Sequence, residues 1–324
     1  MDLRSFARRL AGLGAVPPPP HVFALDERAV AYARIAPIAG GGHELRELRR
    51  LELPAGSFVP GLLGGPLHDP AAFSERLAAL LGGLSATVDQ ASLVLPDSWL
   101  RVTFIEVGDL PRSVEAREEI VRWKAKRLLP FRVEDLRLAW SEVPALPRQA
   151  EPRRLLVAFA LESLLAGLEE AFADRGVWLG RITAETLALL PAISPALAAV
   201  PLGGLANVHE AGYTLLFTRH GQPVLHRFRA LEPGLGEAQR ASTVARDLRL
   251  TRAFVAEQLP DQTLGRMVLA APSQLAARWQ GWLAEGLGRA GEPLEALQLP
   301  LTAAERVTWA EVAPLLGAAR EEVA

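Results

Sequence analysis

Apolar and polar positions along the chain fall into short alternating runs and longer periodic stripes that follow one another in a regular order. Residues 21–25, 29–35 and, less regularly, 45–53 read as strands, with Gly40, Gly41 and Gly42 turning the second into the third. Asp69 and Pro70 open a helix over 70–81 that stops at Gly82 and Gly83. Asp can accept from an unpaired helix N–H, and Pro fits the first helical position, where no N–H is needed. Residues 91–95 form an apolar strand ending at Pro96-Asp97-Ser98, 101–107 a second and 136–143 a third. Between the last two, Ser113 caps a helix that runs to Leu128 and ends before Pro130.

After a proline-rich polar connection over 144–152 come a strand at 154–160, a helix at 162–174, a strand at 177–182 and a helix from Thr183. This is the alternation of an α/β sheet with crossovers. Strands at 205–208, 213–218 and 223–229 follow, then a helix over 237–258, a strand at 267–270, a helix at 273–285, a strand at 294–299 and a helix at 310–320. Three strands followed by helix–strand alternation therefore occur twice, as a repeat of pattern without a repeat of sequence.

Composition narrows the functional classes. The 324 residues suffice for two domains, and 35 basic against 37 acidic residues give a net charge of −2, with no global attraction for nucleic acid. The absence of cysteine excludes disulfides, thiolate metal sites and cysteine nucleophiles. Residues 186–206 carry no charge over a length that could span a bilayer, but Pro191, Pro195 and Pro201 interrupt them. They read as a buried helix end followed by a proline-punctuated connection. Residues 1–14 place Leu3, Phe6 and Leu10 on one helical face, with Arg4, Arg8 and Arg9 around it. This is a short basic amphipathic segment, set off by Pro17–Pro20 and suited to peripheral membrane contact.

Few motifs carry chemistry. Gly286, Gly288 and Gly291 spell G-x-G-x-x-G, but a helix precedes them and a strand follows, the reverse of a dinucleotide site, so they read as a helix end and loop. The six histidines lack metal-ligand spacing, and His220 and His226 read as flanking a surface hairpin. One helix stands out: residues 115–131 read E-A-R-E-E-I-V-R-W-K-A-K-R-L-L-P-F. Ile120, Trp123, Arg127 and Leu128 share a stripe, and Pro130-Phe131 ends it sharply. Trp123 and Phe131 are expected to give most of their area to the core, with part of the stripe lining a groove.

The stretch 93–143, with L-V-L-P-D-S-W-L-R-V, that helix and L-R-L-A-W-S-E-V, resembles the PilM-type pilus-assembly proteins, relatives of FtsA and of the cytoplasmic domain of GspL. The resemblance implies an actin-like two-lobed α/β fold of duplicated ribonuclease-H-like domains with a small inserted α/β subdomain. The implied division is a tail at 1–20, the first lobe at 21–97 and 144–203, the small subdomain at 98–143 and the second lobe at 204–324.

It also implies three nucleotide-binding turns, and here each departs from the family pattern. The first keeps Asp26 but has no glycine, reading Leu25-Asp26-Glu27-Arg28-Ala29. The second has Asn207 where the family has an acid, and keeps Gly212 and Thr214. The third reads Ala270-Ala271-Pro272-Ser273 without paired glycines. Glycine lets backbone N–H groups reach a phosphate, and an acid holds the metal shell, so no cofactor is expected.

The expected protein is a non-enzymatic scaffold, cytoplasmic and peripheral to the inner membrane, serving a type IV pilus or type II secretion platform. Its expected partner is the cytoplasmic N-terminal tail of a single-pass membrane protein of the PilN type, received near Trp123, Arg127, Leu128, Pro130 and Phe131. Self-association is left open. The alternatives are an actin-like protein that binds Mg-ATP through unconventional turns and a relative of sugar kinases.

Overall fold

The computed structural model describes residues 18–39, 42–59, 63–127, 132–147, 149–232, 234, 236–303 and 307–320. The expected amphipathic segment at 1–14 lies outside the described residues, as do Leu128, Pro130 and Phe131.

The first sheet begins as an antiparallel meander of β1 (His21–Leu25), β2 (Ala29–Pro37) and β3 (His43–Glu52). Helix α1 (Pro70–Gly82), capped by the Asp69 side chain on the Ala72 N–H, leads to β4 (Gln90–Leu95). That strand is parallel to β1 and buried on both faces, as its mostly apolar run leads one to expect. Strand β5 (Arg101–Val107), helix α2 (Val114–Ala125), β6 (Leu136–Val143) and β7 (Arg153–Leu161) come next. Helix α3 (Glu162–Ala173) then returns the chain to β8 (Trp178–Ala184), parallel to β4.

Helix α4 (Glu185–Ala198) crosses to a second sheet with the same plan. Strands β9 (Leu202–His209), β10 (Gly212–Arg219) and β11 (Gln222–Ala230) form its meander. The long α5 (Glu237–Gln258) leads to β12 (Leu264–Ala270), parallel to β9, and α6 (Ser273–Leu287) to the short β13 (Glu292–Pro293). The doubled order seen in the sequence is thus two sheets of like topology, β3-β2-β1-β4-β8 and β11-β10-β9-β12-β13.

Strand β14 (Leu301–Ala303) and helix α7 (Trp309–Ala318) do not stay with the second lobe, as the 204–324 boundary supposed. β14 pairs with β3, and α7 packs along α4 and against β1, β2 and β4. A Cβ on Gly317 would fall 1.8 Å from the Ala188 carbonyl oxygen, so the backbones of α4 and α7 touch there. Around them one core joins Val22, Val94 and Ile193 with Leu205, Leu216 and Val268 from the second sheet.

The small subdomain is also larger than 98–143. Strand β7 pairs on one side with β5 and on the other with β6, making it the centre of a three-stranded antiparallel sheet. Its apolar run read equally well as a strand of the first lobe. Only pairing decides the matter, because Val157 and Phe159 are needed in the core that Val121 and Ala125 of α2 close.

Three local expectations also change. Helix α4 continues through Pro191 and Pro195. Each proline removes a helical hydrogen bond, a cost of about 3 kcal/mol in an isolated helix, but burial of Ala188, Leu189, Ala192 and Ile193 between the sheets outweighs it here. Residues 294–296 form a 3-10 turn and not the start of a strand. His226 is not on a surface hairpin but buried. Gly286, Gly288 and Gly291 do end a helix: Gly288 adopts φ 75° as the left-handed cap of α6, and a side chain on Gly286 would strike Leu248 of α5.

Candidate functional site

The turn that follows β4 places Asp97 between the two lobes. Trp99, 1% exposed and packed at a tilt against Phe58 with ring centroids 4.5 Å apart, holds that turn in the first-lobe core. The Asp97 carboxylate then faces the N-terminus of α4, which has no side-chain cap of its own. Oδ1 accepts from the Thr186 N–H at 3.0 Å, while Oδ2 accepts from the Thr186 hydroxyl. A carboxylate there satisfies an orphan donor and meets the positive end of the helix dipole.

Asn207 of β9 and Thr214 of β10 are directly opposed across their strands, so both project to the same side. The Thr214 hydroxyl donates to Asp97 Oδ2 at 2.7 Å. Asn207 Nδ2 donates to the same oxygen at 3.4 Å and to Thr186 Oγ1 at 3.1 Å. All four residues are buried. They form a closed polar knot that ties β4 and α4 to the second sheet.

At the mouth of this knot His209 Nε2 lies 3.1 Å from Glu185 Oε2. His209 ends β9 and Glu185 opens α4, so this pair also spans the lobes. Burial pulls the imidazole pKa down, but the Glu185 carboxylate, with Asp97 and Asp26 farther off, reverses this and raises it to about 9. The imidazolium therefore persists at neutral pH.

Asp26 does not join the knot. Its Oδ1 accepts from the N–H groups of Arg28 and Ala29 at 2.6 and 2.8 Å, closing its own turn, and Oδ2 faces Arg50 at 3.6 Å. Gly212 is explained by packing: a Cβ there would lie 2.6 Å from the Arg229 carbonyl oxygen on the neighbouring strand. A nucleotide with its metal needs a free acid and backbone donors turned outward. These residues do not fit that group, because Asp26 and its turn are bonded to each other and Asn207 and Thr214 are bonded to Asp97.

Of the four residues expected to mark the nucleotide turns, the structure brings together Asn207 and Thr214 and leaves Asp26 and Gly212 apart. The sequence reading missed Asp97, Thr186, Glu185 and His209. Asp97 had a signal, as an acid two residues past the end of a mostly apolar strand; Thr186 was hidden in an uncharged stretch.

On the small subdomain, α2 buries Val121 and Ala125 and turns Trp123 outward, 57% exposed, against the expectation that it would be mostly core. The Arg127 guanidinium lies 5.0 Å from its ring centroid, and Lys124 Nζ lies 6.0 Å away. Arg127 itself falls just past the last helical residue. The two residues are together, exposed and cationic–aromatic in character.

A second seam runs between the small subdomain and the second lobe, where β5 meets β11. Here Arg154 of β7 is 5% exposed, stacks 3.9 Å from the Phe104 ring centroid and donates from Nη2 to the Val224 carbonyl. Its Nη1 has no partner among the described residues, and burial lowers its pKa to about 10. Two residues along β11 from Val224, His226 has neither ring nitrogen hydrogen-bonded among the described residues, and burial depresses its pKa despite Asp97 nearby.

No protein-family model matches the chain, and no curated protein matches it in sequence. Solved structures do. A chain of a PilM–PilN type IV pilus biogenesis complex matches with a TM-score of 0.70 at 20% identity, over 92% of this chain and 95% of that one. A Bacteroides thetaiotaomicron protein of actin-like ATPase fold and unknown function matches with a TM-score of 0.51 at 10% identity, over 91% and 95%. The cytoplasmic domain of EpsL, an inner-membrane component of the Vibrio cholerae type II secretion system, matches at 0.46 and 13%, over 92% and 93%. The fold is the actin-like one expected from the sequence.

Proposed function

We propose that this protein is a cytoplasmic scaffold at the inner-membrane platform of a type IV pilus or related secretion machine, and that it receives the N-terminal tail of a PilN-like membrane protein. The observation that carries the reading is the end-to-end likeness to a chain of a PilM–PilN complex. Among the described residues, no helix is long and apolar enough to cross a membrane. The exposed Trp123–Arg127 pair supplies the residue types that dominate peptide binding, because they bury area and offer directed hydrogen bonds.

In the same reading the chain has no Mg-ATP activity. Its two lobes are clasped from within by the Asp97 knot and the His209–Glu185 pair, where a nucleotide would otherwise join them. Titration with Mg-ATP at about millimolar concentration is expected to leave the melting temperature unchanged, and a clear upward shift would reverse this part of the reading.

The partner is tested by titrating the protein with the N-terminal peptide of a single-pass membrane protein encoded beside it. Arg127→Ala is expected to weaken binding by about 2 kcal/mol, roughly thirtyfold, while its melting temperature stays near the parent's. A well-folded variant that binds as tightly as the parent would remove α2 as the receiving surface.

A further inference from the structure

Helix α5 packs Val244, Leu248, Thr251 and Val255 into the second lobe. On its flank Leu250 and Phe254, one turn apart, are 55% and 43% exposed. An exposed Arg246 lies one turn before Leu250, and an exposed Glu257 lies three residues after Phe254. At about 3.6 residues per turn, these four positions share roughly 80° of arc. Along the helix the stripe runs cation, apolar, apolar, anion, and it is nearly symmetric about the level of residue 252. Leu250 and Phe254 lie equally far on either side of that level, and Arg246 and Glu257 almost so.

We propose that this stripe of α5 is an interface with a second copy of the chain, the two helices running antiparallel about a twofold axis. Leu250 of one copy then meets Phe254 of the other, and Arg246 of one meets Glu257 of the other, each contact occurring twice. The stripe is therefore complementary to itself in both apolar area and charge. A parallel pair would set Arg246 on Arg246 and Glu257 on Glu257, which repel. An anionic lipid surface would likewise repel Glu257. The paired charges lie about 16 Å apart along each helix, so the contact falls well under the roughly 800 Å² per partner of a standard interface. The dimer is accordingly a weak one, favoured where copies are held close together. It uses the second lobe, whereas the partner peptide is assigned to α2 of the small subdomain, so either reading can fail without the other.

Sedimentation equilibrium of the full chain at low salt, over a roughly hundredfold range of concentration, is expected to show a monomer–dimer equilibrium that weakens as salt is added. Arg246→Glu or Glu257→Arg alone places like charges together in both symmetric contacts, and should raise the dissociation constant about tenfold or more. Both reversals combined in one chain bring opposite charges together again and should return the dissociation constant to near the parent's. Mixing the two single variants should do the same through a heterodimer. Leu250→Ser with Phe254→Ser leaves the charges in place and should also disperse the dimer, and all these exposed changes should leave the melting temperature near the parent's. A parent chain that stays monomeric throughout would overturn the proposal. So would a dimer indifferent to the single reversals, or a combined reversal that folds normally yet associates no better than either single variant.

Discussion

Two seams hold this molecule together, and they are built on opposite principles. Between the lobes, every group of the Asp97 knot that is drawn out of water finds a partner, and His209 and Glu185 neutralise each other at its mouth. Between the small subdomain and the second lobe, among the described residues, an arginine is buried without a counter-ion in contact and a histidine without a hydrogen bond. Buried polar groups are tolerated when satisfied and costly when not. The first seam therefore reads as a permanent join. The second reads as a costlier join, with buried polar groups left without partners among the described residues.

The largest expected effect comes from breaking the satisfied seam. Asp97→Ala strands the Thr186 N–H and both hydroxyls, and should lower stability by about 3 kcal/mol or more in chemical denaturation. A loss below about 1 kcal/mol would mean that water enters the seam and that the contrast is overstated. The unsatisfied seam should respond with the opposite sign. Arg154→Met keeps the stacking on Phe104 but removes the charge, and is expected to raise stability by about 1 kcal/mol. A clear loss would show that the Val224 carbonyl bond outweighs the desolvation of the guanidinium.

The smallest effect sharpens the comparison through pH. His209 has a folded pKa raised to about 9, above its unfolded value near 6.5, so its contribution is complete below that value and fades as pH rises through 9. His226 has a lowered pKa, so the folded state binds its proton less readily than the unfolded chain, and stability falls as pH drops below 6.5. Melting temperatures followed across pH should show His209→Gln flattening the alkaline limb and His226→Leu flattening the acid limb. Interchange of these effects would contradict the assignment of the two seams.

The sequence disclosed the order of elements well, because each lobe strand or helix is long enough to carry its own period. It misplaced β7 and α7, whose apolar runs state that they are buried but not against what, and it read no strand at 301–303, where the short β14 lies. The site was legible only in part. Asn207 and Thr214 stood out by comparison with a family pattern, whereas Asp97 lies 89 residues from Thr186 and 117 from Thr214, and only the folded chain brings them together. Trp123 was misjudged because a helical stripe does not reveal which side of it faces the core; Val121 and Ala125, small and adjacent, took that side.

The return of β14 and α7 to the first sheet has a consequence for synthesis. The strand that pairs with β3 and the helix that covers β1, β2 and β4 are translated only after the whole second lobe. Domains tend to fold in the order in which they emerge, but here the first lobe leaves the ribosome with one face of its core bare. The second meander, from Leu202 to Ala230, needs only near neighbours to pair and has no such delay. Completion of the earlier lobe is therefore a long-range, late event, and any nascent chain stalled before Leu301 exposes the Ala188–Ile193 surface on which α7 would have closed.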